Sequence, residues 1–244
     1  MNTSTTGRTP HDKVGGLAAL YLAAAYLVAM PYFLVYVKYM DVVDPVERVR
    51  LIVSNHDSMR VVYLITYVVF GIVLAILVLA LHARLKDGAP ALSQAAAVAG
   101  CLWAAMLVAS GLTFNAGITA VVELQAASPA QGVSVWQALE PVANGLGSSD
   151  GELLGGLWIL LVSVAAVRAT ALPKVLNWSG IVAGAAGVVS VVPGLADAAY
   201  VFGLLQIVWF AGLGIVLLRT ASQRSASAAA EGDHVALQLP EKAA

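Results

Sequence analysis

Charge is scarce in this 244-residue chain: 11% of residues are Asp, Glu, Lys or Arg, and 60% are apolar, against about 25% and 45–50% in soluble domains. That excludes an ordinary cytosolic enzyme. An excess of base is lacking too, with 13 Lys and Arg against 14 Asp and Glu, so no basic face invites nucleic acid. Cysteine is reduced to Cys101, which rules out a disulfide or a CxxC metal site within one chain. No G-x-S-x-G element marks a nucleophile elbow. The glycines at 145, 147 and 151 lack the preceding strand and following Lys-Ser/Thr of a phosphate loop.

What is abundant is long apolar sequence, and it defines an all-α, polytopic bundle of membrane helices. With about 20 apolar residues needed per crossing, six spans are expected near 15–39, 61–81, 94–114, 152–167, 178–195 and 199–218. The first is too long for a signal-peptide core of roughly 7–15 residues. The third stays helix-compatible to Ala127. Residues 115–150 are expected to form a small extracytoplasmic helical cap, in which Val135, Trp136, Leu139, Val142 and Leu146 recur at amphipathic helical spacing. Pro141 is expected to interrupt or bend that helix. Residues 178–218 carry one ionisable group, Asp197, and Pro193-Gly194 supplies turn chemistry between two crossings or at a re-entrant loop. Residues 1–13 and 220–244 read as disordered cytoplasmic tails.

Six spans place both termini on one side. That side collects Arg8, Lys13, Arg84, Lys86, Arg168, Lys174, Arg219 and Arg224, as cytoplasmic loops do. Opposing it, Lys38, Arg48, Arg50 and Arg60 sit among the acids of the first outer loop.

Ionisable residues are missing between the interfacial ends of these spans, which argues against proton-coupled transport, a retinal lysine or an intramembrane metal site. Small residues are plentiful instead. Gly180 and Gly184, Ala183 and Gly187, and Ala96, Gly100 and Ala104 stand four apart, suited to internal helix packing or to a self-association face.

Two constellations are candidate sites. Tyr32, Tyr36 and Tyr39 fall on one helical face, with Tyr63 and Tyr67 one turn apart. They read either as an aromatic belt at the headgroups or as the wall of an outward-opening pocket. Tyr32 and Tyr67 lie deep enough to need hydrogen-bond partners. Outer acids, including Glu123, Glu140, Asp150 and Glu152, give that face a net charge of −5 from nine acids and four bases, which concentrates cations. Ser149 and Glu152 also fit an S-x-x-E capping box. His56 and Asp57 are too few for a zinc site.

The run Asn144-Gly145-Leu146-Gly147, then Gly151-Glu152 and Gly155-Gly156-Leu157-Trp158, followed by Leu172-Pro173 and a glycine-rich span, resembles bacterial multi-pass proteins of the domain-of-unknown-function family numbered 4386. The resemblance covers most of residues 14–219 and implies a helical protein of the bacterial cytoplasmic membrane, with no catalytic assignment to carry over.

The functional expectation is a non-enzymatic binder of a lipid or amphipathic small molecule, with Tyr32, Tyr36, Tyr63 and Tyr67 as walls and Glu123 or Glu152 as polar anchors. The alternatives are an uncoupled facilitator using Ser110, Thr113, Asn115, Ser163, Ser190 and Gln206, and a structural subunit of a membrane complex. Membrane lipids are the expected partners, with a homo-oligomer or a membrane-complex protein as a further one. No cofactor, metal or catalytic residue is expected, and any catalysis would sit on a wet face.

Overall fold

The computed structural model describes residues 8–147 and 151–238, with side chains described from 10 to 229. Its elements are helical: α1 (Arg8–Pro31), α2 (Pro45–Ser54), α3 (His56–Tyr63), α4 (Phe70–Leu85), α5 (Pro90–Ala127), α6 (Pro129–Gly147), α7 (Leu153–Ala169), α8 (Lys174–Val189) and α9 (Ala198–Gln238). No strand occurs among the described residues. Widened π-type turns extend α1 over Tyr32–Tyr36 and join α3 to α4 over Leu64–Val69. Among the described residues, four stretches are long and apolar enough to cross a membrane, namely Pro10–Tyr36, His56–Leu85, Pro90–Ala127 and Ala198–Ala229. α7 and α8, with 17 and 16 residues, reach only about 24–26 Å at the helical rise.

Local chemistry sets the boundaries. Asp44 caps α2 by accepting from the amides of Val46 (3.0 Å) and Glu47 (2.9 Å), and Pro45 at the first helical position has no amide to satisfy. Thr170 adopts a left-handed conformation (φ 48°), which lets the Ala171 amide reach back to the carbonyl of Ala166 and closes α7 before Pro173 opens the way to α8. α6 runs through Pro141 without interruption. Gly194, at φ 85°, turns the chain between α8 and α9.

α1 and α9 run antiparallel, so the start of α1 and the segment of α9 around Arg224 share one end of the bundle. There Asp12, 3% exposed, receives Arg84 at 2.8 Å and also Arg224. Helix therefore begins at Arg8 and passes Arg224, inside the segments expected from hydropathy to be unstructured tails. The clasp explains it, because a buried carboxylate is tolerable only when paired. α5 extends about 57 Å over its 38 residues. α6 returns along its far half, with the Ser110 hydroxyl donating to the Ala143 carbonyl at 2.8 Å, and α7 returns along its near half beside Gly100.

Two apolar clusters result. The larger, nearer the tails, is built on Phe70, Trp103, Trp158, Trp209 and Phe210, with Trp158 5.7 Å from both Trp103 and Trp209. The smaller lies at the far end and holds Tyr39, Ile52, Met59, Tyr63, Phe114 and Trp136. Gly156 and Gly184 serve packing within the chain. A Cβ on Gly156 would stand 2.6 Å from the Val188 amide, and one on Gly184 2.6 Å from the Leu160 amide, so α7 and α8 touch backbone to backbone.

Candidate functional site

Where the two clusters meet, two adjoining hollows lie between α1, the π turns, α5 and the start of α7. The larger has a volume of about 490 Å³, within the roughly 300–1,000 Å³ of ligand pockets. Tyr63, Tyr67, Phe33 and Phe114 wall it, Met30, Leu34 and Met40 border it, and Arg48, Glu140 and Asn144 supply its polar lining. Met30, Leu34 and Met40 are exposed, giving the hollow an apolar flank on the outside of the bundle. The smaller, about 150 Å³, shares Tyr26, Ala29, Phe33 and Tyr67 with it and reaches Phe70, Trp103 and Glu152. Both π turns contribute lining residues, Phe33 and Leu34 from one, Thr66 and Tyr67 from the other. Such widened turns gather at functional sites.

The polar lining is a fixed network. The Trp136 indole donates to the Tyr39 hydroxyl at 3.0 Å, and that hydroxyl donates to Glu140 Oε1 at 2.6 Å. Arg48 Nη1 lies 3.2 Å from Glu140 Oε2, while Arg48 Nε and Nη2 donate to the Val42 carbonyl at 3.0 and 2.7 Å. The guanidinium also stands 5.3 Å from the Tyr39 ring centre. Tyr39 lies beyond the Pro10–Tyr36 stretch. Burial first, and the Glu140 carboxylate second, hold its phenol well above its ordinary titration range.

The tyrosines expected to form one wall divide. Tyr63 is buried and stacks on Phe114 with ring centres 4.3 Å apart, and Tyr67 lines both hollows. Tyr32 meets Ser58 Oγ at 2.7 Å and stacks on Tyr36 at 5.6 Å, a partner that hydropathy required but did not name. Tyr36 is 71% exposed and does not line either hollow. Tyr39 leaves the face of Tyr32 and Tyr36 because Lys38 turns the chain at φ 54°. Glu123 is exposed on α5 and also does not line them.

Glu152 does line the smaller hollow. The capping-box reading is corrected on one point: Glu152 is itself the N-cap residue of α7 and makes no side-chain cap bond, while Ser149 lies outside the described residues. Its amide instead donates to Ser190 Oγ at 2.9 Å. The side chain is freed to enter the hollow, where Oε2 is sealed from solvent and has no hydrogen-bond partner among the described residues. The expectation that titratable groups stay at the span ends, clear of the interior, therefore fails at Glu152. As the first residue of an apolar run it reads as interfacial, yet it lines the hollow together with Phe70, Trp103 and Leu107. Nearby, the Tyr26 hydroxyl donates to Gln206 Oε1 at 3.0 Å, and Trp103 Nε1 and Gln206 Nε2 have no partner among the described residues.

Sequence reading missed Tyr26, Phe33, Phe114 and Asn144 as lining residues. Tyr26 and Phe33 are seven apart on one face of α1, a spacing that could have flagged them. Phe114 and Asn144 carry no comparable signal. No group of three or more His, Cys, Asp or Glu side chains able to hold a metal occurs among the described residues.

The architecture is that of a helical transmembrane protein. Residues 17–220 match the family model described as Domain of unknown function (DUF4386), and the chain belongs to that family. No curated protein and no solved structure matches it.

Proposed function

We propose that this protein is a non-enzymatic binder of a lipid or other amphipathic small molecule, sited in a bacterial cytoplasmic membrane. The observation that carries the reading is the hollow of about 490 Å³, whose aromatic walls pass from the exposed flank of Met30, Leu34 and Met40 to the Arg48–Glu140 pair. Apolar walls with a few fixed polar groups suit a molecule that has both characters. In this reading α1, α3–α4, α5, α7, α8 and α9 make six crossings. The far-end cluster is the extracytoplasmic cap, and both tails are cytoplasmic. The basic residues Lys13, Arg84, Lys86, Arg168, Lys174 and Arg219 at the tail end support that orientation.

Less supports a transport path. Ser110 bonds Ala143, Thr113 bonds Ala109, Asn115 bonds Gly111 and Ser190 bonds Gly187, so these polar side chains are committed to backbone carbonyls.

Native mass spectrometry of the full chain released from lipid nanodiscs tests the proposal. Retained lipid or amphiphile, reduced by Tyr63→Ala or Tyr67→Ala, is the expected result. Release of bare protein from every lipid mixture would overturn it. A C-terminal fusion reporter located outside the cell would refute the orientation.

A further inference from the structure

Resting on the binding reading above, we infer that the smaller hollow is an ammonium site, and that the preferred ligand is an amphiphile whose head is an alkylated or primary ammonium. Five aromatic side chains, Tyr26, Phe33, Tyr67, Phe70 and Trp103, line it together with the Glu152 carboxylate. Aromatic faces are negative, and rings grouped around a small space attract ammonium ions through their quadrupoles.

Glu152 supplies the matching charge in its ionised form, which a bound ammonium favours. Among the described residues no Lys, Arg or His lines the hollow, and Arg48, the base of the adjoining one, is engaged by Glu140 and the Val42 carbonyl. A carboxylate oxygen sealed among rings, with no hydrogen-bond partner among the described residues, is costly to ionise, and an arriving cation offsets that cost. An anionic head would meet the same carboxylate unfavourably.

Size and ligand chemistry narrow the cation. About 150 Å³ is the volume that admits a benzene-sized group, which is the scale of a trimethylammonium or ethylammonium head. Hard metal ions want several oxygen ligands at short range. The Thr66 hydroxyl already donates to the Val62 carbonyl, and most of the wall is carbon. The apolar remainder of the ligand extends through the shared Phe33–Tyr67 boundary into the larger hollow and past Met30 and Leu34.

The test uses the full chain in nanodiscs with three probes of similar chain length, dodecyltrimethylammonium, dodecyl sulfate and dodecyl maltoside, and with phosphatidylethanolamine competing against phosphatidylglycerol. Bound species are counted by native mass spectrometry. The expected result is at least a tenfold preference for the ammonium probe over the sulfate, with the ammonium-to-maltoside ratio falling about tenfold in Glu152→Gln and about threefold in Phe33→Leu. Glu152→Gln keeps the shape of the side chain, and the milder Phe33→Leu gives a second reading if the first variant is poorly folded. Preference for phosphatidylethanolamine over phosphatidylglycerol identifies a lipid head as the source, whereas preference confined to the free probe identifies a soluble amphiphile; both support the site. Retention of all three probes without selectivity, or ratios unchanged in both variants, overturns the ammonium site and leaves the binding reading intact. Retention of nothing overturns both.

Discussion

Arg48 Nη1 lies 3.2 Å from Glu140 Oε2, joining α2 to α6 across 92 residues of sequence. Both side chains are mostly buried, at 28% and 13% exposure. Unlike a surface pair, this one is fixed by the Val42 carbonyl on one side and the Tyr39 hydroxyl on the other. It holds the far-end helices at the polar end of the larger hollow.

Arg48→Met or Glu140→Gln alone should destabilise the protein by about 2–3 kcal/mol, because each leaves a half-buried charge without its partner. The double variant should cost less than the two singles together. Thermal unfolding of the four proteins in one detergent measures the coupling, and strictly additive losses would show the pair to be energetically idle.

Tyr39→Phe removes the bond to Glu140 and strands the Trp136 indole, at a cost of about 1–3 kcal/mol near neutral pH. The Tyr39 phenol titrates above its ordinary value of 10 in the folded protein. Its stabilising contribution is therefore complete below about pH 10 and is lost as pH climbs through the higher folded value. The gap in Tm between wild type and Tyr39→Phe should stay level from about pH 7 to about pH 9 and narrow above about pH 10. A constant gap across the alkaline range would contradict the geometry.

Asp12→Asn leaves Arg84 and Arg224 facing an uncharged amide. With Asp12 buried at 3% exposure, the loss is expected to be about 3 kcal/mol. It should appear locally as faster amide hydrogen exchange in the first turns of α1 and around residues 219–226, with the far-end cluster unaffected. Equal acceleration throughout the chain would mean that the clasp has no local role.

Gly184→Leu should prevent close approach of α7 and α8, since even a Cβ there meets the Gly156 carbonyl oxygen at 2.7 Å. A loss of folded protein, with wild-type membranes yielding only monomer on crosslinking, fits internal packing. Folded Gly184→Leu protein with only its self-association lost would assign the stripe to an oligomer face.

Some of this was readable before any tertiary contact was known. Apolar runs longer than any soluble helix needs, the near-absence of charge within them and the period of α6 mark out helices, though not their ends, because in lipid each helix must satisfy its own backbone hydrogen bonds. Tyr63, Tyr67 and Glu152 were visible as candidates for the same reason: polar groups near apolar runs are conspicuous. Hydropathy could not tell which of them share a space. Tyr36 and Glu123 have the same chemistry as Tyr67 and Glu152, and only chain direction separates them. The left-handed turn at Lys38 brings Tyr39 to Glu140, and the meeting of α6 with α7 beside α5 carries Glu152 among aromatic rings. Composition and period are properties of one helix at a time. A pocket is a property of several, decided by which side chains are small enough to let backbones close and which buried charges find a partner.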